Sequence, residues 1–180
     1  MKTLRHGLGW MITTLMVTSC AIPLETVHLP LENQAWKVGA ARHLEENEGT
    51  VIEYIPEKQT MNDWTRMYMV QFFERWKPTL HLYMTILNRR VLSRCGIDHV
   101  TWEVLDEDHN SLLYAWGVHG CEGEPDRHFI DRLLLGRDGL HKISYIEKTR
   151  ELDPGTRARV LRLIKQAYVA KGGKRVRLAR

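Results

Sequence analysis

Four strand-like segments follow one another in residues 100–146, VTWEVLDEDHNSLLYAWGVHGCEGEPDRHFIDRLLLGRDGLHKISYI. Apolar and polar side chains alternate in the first segment, and β-branched or aromatic residues are frequent in the other three. The segments are residues 100–105, 112–121, 129–135 and 140–146. Polar residues separate them, and Gly136-Arg137-Asp138-Gly139 is typical of a hairpin turn. The pattern predicts an antiparallel meander of four strands.

One amphipathic helix is predicted before this meander and another after it. The first begins at about Pro78, ends near Cys95-Gly96, and repeats its apolar residues at helical spacing: Leu80, Tyr83, Met84, Leu87 and Val91. The second begins at Asp153-Pro154, as N-cap and first helical residue, and ends at Gly172-Gly173. Its apolar stripe is Val160, Leu161, Ile164, Ala167 and Tyr168.

Three more strands are predicted before the first helix. Residues 35–40 and 49–55 have strand composition, and the second run stops at Pro56. Residues 64–76 are ambiguous, because some apolar side chains recur at helical spacing while residues 67–73 form a short aromatic-rich run. Length and composition favour a strand for that run.

The composition is that of one folded domain. The chain has 180 residues, of which 43% are hydrophobic and 27% charged, so the class of disordered proteins is excluded. A mean hydropathy of −0.36 excludes a membrane protein with many spans. Together with the predicted elements, this indicates an α+β domain over residues 35–170, an antiparallel sheet packed by a central helix and a C-terminal helix.

The first twenty residues have the pattern of an export signal. Lys2 and Arg5 give a basic start, residues 7–17 are mostly apolar, and the first acidic residue is Glu25. Roughly ten apolar residues are too few to span a bilayer, which needs about 20. They match the apolar region of a signal peptide.

Val17-Thr18-Ser19-Cys20 resembles the lipobox of bacterial lipoprotein precursors, in which an apolar residue and two small residues precede a cysteine. The resemblance implies removal of residues 1–19, diacylglycerol on the Cys20 thiol, and acylation of the new N-terminus, as with palmitate. Several acyl chains hold a protein stably at a membrane. Ala21, in place of Asp, implies the outer membrane, with the domain facing the periplasm. An ordinary cleaved signal peptide and a buried first helix are the alternatives.

Residues 20–34 are expected to form a tether, because they contain two prolines and little periodicity. If Cys20 carries lipid, Cys95 and Cys121 remain, and two cysteines in an oxidising periplasm are usually paired. Free buried thiols are one alternative. A nucleophilic Cys121, with His119 on the same strand face, is another.

The middle of the chain also resembles a group of small exported bacterial proteins without assigned activity. The residues that carry this resemblance are Glu53-x-Ile55-Pro56-Glu57, Trp64-Thr65-x-Met67-x-x-Val70-Gln71, Cys95 and Cys121. The resemblance covers residues 52–146. It implies a strand over residues 65–73 and a Cys95–Cys121 disulfide, and it implies no catalytic residues.

The sequence contains no spacing typical of a metalloprotease, a zinc ribbon or a serine hydrolase. His119, Cys121 and His128 flank one loop, but structural zinc needs a fourth ligand and a reduced thiol. Asp106-Glu107-Asp108 lacks the ligand spacing and bend glycine of a calcium loop, so we interpret it as a solvated turn. We therefore predict no metal and no cofactor.

The basic residues are concentrated at the C-terminus, where residues 153–180 carry nine of them and one acidic residue. Residues 171–180 are expected to be a disordered tail, either solvated or in contact with anionic lipid or an acidic envelope protein. The contact residues would be Lys171, Lys174, Arg175, Arg177 and Arg180. Export of the protein argues against nucleic acid as a partner.

The sequence thus predicts a lipoprotein anchored in the cell envelope, with a non-enzymatic partner-binding or structural role. The alternative is a periplasmic small-molecule binder or enzyme with its site between sheet and helix. Most tryptophans are expected in the core, with one or two lining a ligand groove: Trp36, Trp64, Trp76, Trp102 and Trp116. A filled interface between sheet and helix would favour the first hypothesis, and a pocket lined by Trp and converging polar groups would favour the second.

Overall fold

The computed structural model describes residues 25–31, 36–44, 49–171 and 174–175. Ten strands and two helices lie in these ranges, and a single 3₁₀ turn, Ile97–His99, follows the first helix. In chain order the elements are β1 (Glu25–His28), β2 (Trp36–Leu44), β3 (Gly49–Pro56), β4 (Arg66–Glu74), α1 (Leu80–Cys95), β5 (Val100–Asp108), β6 (Ser111–Val118), β7 (Arg127–Leu135), β8 (Gly139–Glu147), α2 (Pro154–Gln166), β9 (Tyr168–Lys171) and β10 (Lys174–Arg175). The fold is α+β.

Seven strands form one antiparallel sheet in the order β2-β3-β4-β8-β7-β6-β5. The meander predicted from residues 100–146 is confirmed, since β5, β6, β7 and β8 pair in succession. The ambiguous aromatic-rich run is a strand: β4 lies near the middle of the sheet and pairs with β3 on one side and β8 on the other. Its many apolar side chains are explained by this position, because both faces of a central strand are covered.

The two helices lie on opposite faces of the large sheet. Alternate residues of β6 show this division: Leu112, Tyr114 and Trp116 pack with α1, whereas Leu113 and Ala115 pack with α2. Because side chains of a strand point alternately to the two faces, one strand contributes to both cores. Ser111–Val118 is therefore buried along its whole length.

The second helix begins as predicted at Asp153-Pro154, whereas the first begins at Leu80, two residues after the predicted start at Pro78, with Thr79 as its N-cap. The Thr79 side chain accepts a hydrogen bond from the backbone N–H of Leu82, and that of Asp153 accepts one from Thr156. The first helix ends where expected, at Gly96, which has a φ of 79° and donates its N–H to the carbonyl of Leu92. Two sequence signals, an N-cap side chain and a glycine stop, thus set these helix limits.

The end of the second helix was predicted wrongly. The helix stops at Gln166, and Ala167 and Tyr168 leave it for the extended strand β9. The guanidinium of Arg132 donates to the carbonyls of Ile164, Lys165 and Ala167, which closes the helix end. The partner of β9 explains the strand, because extended residues there pair with β1.

The tether expected over residues 20–34 also differs from the structure at residues 25–28. Glu25–His28 is strand β1, which pairs antiparallel with β9 in a small sheet of order β1-β9-β10. Val27 and Val169 pack into the core under α2, and this burial favours an ordered strand over a solvated linker. Lys171, expected in a disordered tail, is the last residue of β9.

Candidate functional site

A cavity of about 510 Å³ lies between α1 and the large sheet. Its volume is within the usual range of small-molecule sites, about 300–1,000 Å³. The residues that line it come from α1, β6, β7 and the β6–β7 connection: Leu87, Arg90, Val91, Ser93, Arg94, Cys95, Trp116, Val118, Glu124, Pro125, Arg127 and Phe129. The position is the one that the second sequence-based hypothesis named.

The floor of the cavity is aromatic. Trp116 of β6 and Phe129 of β7 are register partners, and their rings stack with centroids 3.7 Å apart and planes 7° apart. Trp102 of β5 stacks on the other side of Trp116 at 5.2 Å. Three neighbouring strands therefore contribute one rigid row of rings, and Trp116 is the predicted tryptophan that lines a groove.

The rim of the cavity is basic. Arg90 and Arg94 lie one turn apart on α1, and neither makes an ion pair within the described part of the chain. Arg127 opens β7, and its Nε is buried without a hydrogen-bond partner among the described residues. Glu124, 3.7 Å from Arg127, is the one acidic side chain in the lining. Three guanidinium groups against one carboxylate favour an anion.

A disulfide closes one end of this cavity. The Sγ atoms of Cys95 and Cys121 are 2.04 Å apart, consistent with the pairing expected from the sequence. The bridge joins the last residue of α1 to the connection after β6. Cys121 is thus neither the nucleophile nor the zinc ligand that the sequence left as alternatives. No cluster of three possible metal ligands occurs in the part of the chain that the structure describes.

A buried polar cluster lies beside the aromatic floor. Asp131 is fully buried; its Oδ2 accepts a hydrogen bond from Trp116 Nε1 at 2.9 Å and lies 3.1 Å from the Nζ of Lys142. Burial alone lowers the pKa of Lys142, but Asp131 and Tyr83 together outweigh burial and raise it. Burial raises the pKa of Tyr114 well above its usual value, and the charge of Asp131 adds to the effect. At neutral pH Lys142 is protonated and the hydroxyl of Tyr114 is neutral. Lys142 therefore stays paired with Asp131, and Asp131 holds the indole N–H of Trp116 in place.

This cluster was not predicted from the sequence, although a signal was present. Asp131 and Lys142 are charged residues at inward positions of apolar strand segments, FIDRLLL and LHKISYI. Charged residues at such positions are rare in cores unless they are paired. What the sequence did not show is that the two strands pair so that both side chains reach one face.

A second buried pair fixes strand β1. Glu25 is 2% exposed, and its carboxylate accepts hydrogen bonds from the backbone N–H groups of Arg137 and Asp138, both at 3.0 Å. His141 Nε2 lies 3.4 Å from the same carboxylate. Gly136 is required here, because a Cβ on this residue would lie 2.2 Å from Glu25 Oε2. The N-terminal strand is therefore held at the β7–β8 turn.

Burial of His141 and His128 makes stability depend on pH. Burial lowers the pKa of His141 from its ordinary value of 6.5, partly opposed by Glu25 and Asp138, and burial also lowers that of His128. The unfolded chain therefore binds more protons than the folded chain as pH falls below about 6.5. We expect the unfolding free energy, measured by urea denaturation, to decrease from pH 7 to pH 5. The decrease should be smaller in H141Q and smallest in H141Q/H128Q; a wild-type stability that increases over this range would contradict the assignment.

Of the predicted lipid and tail residues, Cys20, Arg177 and Arg180 lie outside the described ranges. Lys171 is described, and its Nζ lies 2.9 Å from Asp138 Oδ2. Lys174 and Arg175 form β10 beside β9. Among the described residues, no helix is long and apolar enough to cross a membrane.

Comparison of the chain with protein-family models, curated proteins and solved structures finds no match. The interpretation of the cavity therefore depends on its own chemistry. Among the lining residues, the single hydroxyl is that of Ser93, whose Oγ donates to the carbonyl of Arg90, and the single cysteine is bonded to Cys121. An apolar floor with a cationic rim is suited to binding an amphiphilic anion.

Proposed function

We propose that this protein is a lipid-anchored protein of the cell envelope that binds a small amphiphilic anion between α1 and the sheet. The observation that carries the binding role is the cavity of about 510 Å³ with an aromatic floor and three arginines. The lipobox-like segment Val17-Thr18-Ser19-Cys20 supports the anchor. The role is one of binding, because the lining offers no nucleophile with a neighbouring base.

The chemistry of the cavity indicates the class of ligand. Its apolar floor and wall, formed by Trp116, Val118, Phe129, Leu87 and Val91, favour an apolar body. The rim arginines favour a carboxylate, phosphate or sulfonate head, since guanidinium groups bind these anions through paired hydrogen bonds. A neutral molecule of the same shape would leave Arg127 Nε without a partner.

Titration with two probe anions tests this proposal. The chain from Ala21 onward contains every residue that the structure describes, and it avoids detergent, which would compete for the cavity. We expect anilinonaphthalene sulfonate to gain fluorescence with this chain and dodecanoate to displace it. The variant R90Q/R94Q should bind both at least about tenfold more weakly, because a hydrogen bond to a charged group is worth about 1.5–3 kcal/mol.

Arg89 provides the matched control. It lies on the same helix, carries the same charge and does not line the cavity. The variant R89Q should therefore bind both probes as the wild type does, and neutral dodecanol should bind wild type and R90Q/R94Q equally. Equal loss of affinity in R89Q and R90Q/R94Q would show a general charge effect, and the cavity would then not be the site.

A further inference from the structure

The N-terminal strand and the C-terminal basic strand meet on one side of the molecule. In the small sheet, Glu25 of β1 is the register partner of Lys171 of β9, and Lys171 is also the partner of Lys174 of β10. The chain thus returns its C-terminal basic residues to the place where the described N-terminal segment begins. Nothing in the sequence pattern alone predicts this proximity.

Basic residues from other elements lie near the same place. Glu25 binds the backbone of Arg137 and Asp138, and the backbone N–H of Arg75 donates to the carbonyl of Asp138. The hydrogen bond from Lys171 lowers the pKa of the Asp138 carboxyl, and the charge of Lys77 adds a smaller effect. The basic side chains described around the β7–β8 turn are those of Arg75, Lys77, Arg137 and Lys171. We name them the turn-side basic surface.

The acidic residues at this surface are largely engaged. Asp138 pairs with Lys171 at 2.9 Å, Glu74 lies 3.7 Å from Arg75, and Glu25 is buried. The acidic residues 106–108 lie at the same end of the large sheet but at its β5 edge, where Asp106 pairs with Lys165 and Glu107 with His81. Among the described residues, Lys77 and Arg137 are left without an ion pair, so this surface keeps a net positive charge.

From this arrangement we infer that the turn-side basic surface lies against the anionic lipid headgroups of the membrane that holds the anchor. The inference rests on the proposed lipidation of Cys20. Five peptide steps separate Cys20 from Glu25, and even fully extended they reach at most about 18 Å. A domain held this close brings its basic side chains to within reach of an anionic surface, which attracts each of them.

The same arrangement turns the cavity away from the membrane. Arg127 and Phe129 of the cavity lie at the start of β7, whereas Glu25 binds just beyond the end of β7, about 27 Å along the strand. The cavity also lies on the α1 face, and β1 packs on the α2 face. The amphiphilic anion therefore enters from the aqueous side.

Photocrosslinking in intact membranes tests the orientation. The full chain carries p-benzoylphenylalanine either at position 137, in the basic surface, or at position 97, where Ile97 is 76% exposed beside the cavity end. We expect crosslinks to phospholipid from position 137 and few from position 97. The charge reversals R75E/K77E should reduce the position 137 crosslinks severalfold, and the matched reversals R89E/R162E should leave them unchanged.

The possible results test the orientation separately from the proposed anchor and from the proposed anion binding. Lipid labelling that is lost in C20S would support the anchor, and a wild-type chain without label would overturn the anchor and the orientation together. A labelled chain that crosslinks equally from positions 137 and 97, or that is insensitive to R75E/K77E, would overturn the orientation alone. Neither result would affect the binding measured with soluble probe anions.

Discussion

Replacing Lys142 by methionine should lower the unfolding free energy by about 3–5 kcal/mol, because the variant leaves the charge of Asp131 buried and without its partner. The side chains of Lys142 and Asp131 are 6% and 0% exposed, and their charged atoms are 3.1 Å apart. Methionine has nearly the length of lysine, so the loss reports the charge rather than an empty space. Urea denaturation followed by tryptophan fluorescence measures it.

The double variant K142M/D131N distinguishes the loss of the ion pair between these two residues from the loss of side-chain packing. Asparagine keeps an oxygen that accepts from Trp116 Nε1, and the double variant has no buried charge. We expect it to be more stable than K142M, since removing both charges relieves the cost of the unpaired one. The exposed pair Lys165–Asp106 is the control, and K165M should cost less than about 1 kcal/mol. Strictly additive losses in the double variant would show that the two buried groups do not interact.

Removal of the disulfide should cost about 3–4 kcal/mol, because the bridge closes a loop of 26 residues in the unfolded chain. The variants C95A, C121A and C95A/C121A should lose the same unfolding free energy, since each lacks the same disulfide. Because Cys95 lines the cavity, we also expect all three variants to bind the probe anions more weakly. Thermal and urea unfolding with and without reductant measure the stability.

The oxidation state of native material provides the decisive control. The intact mass of untreated protein should be two hydrogens below that of reduced protein, as one disulfide requires. Two thiols that alkylate freely without reductant would reject the bridge. If C95A lost much more stability than C121A, the effect would belong to packing at the end of α1 and not to the bridge.

Some features of the proposed anion site follow from local sequence, and others depend on the tertiary structure. The arginine pair at positions 90 and 94 follows from helical spacing, because residues four apart lie on one face. Whether that face borders a cavity depends on how α1 crosses the sheet. The aromatic floor depends on strand register, since Trp116 and Phe129 meet only when β6 and β7 pair as they do.

Local sequence patterns determined the helix limits and turns that a single residue, or a few neighbouring residues, set. Asp153 starts the second helix with a side-chain cap, and Gly96 stops the first one. The alternation of apolar residues and the turn at residues 136–139 predicted the meander. These signals are readable because each acts over a few neighbouring residues.

Only the tertiary structure decided the features that join distant residues. The second helix ends at Gln166, well before the glycines, because Arg132 binds its last carbonyls and β1 offers β9 an extended partner. Glu25, in a segment that looked like a linker, is buried because the β7–β8 turn presents two N–H groups to it. The Asp131–Lys142 pair and the cavity beside it arise in the same way: strand register and helix placement bring together side chains that no local pattern relates.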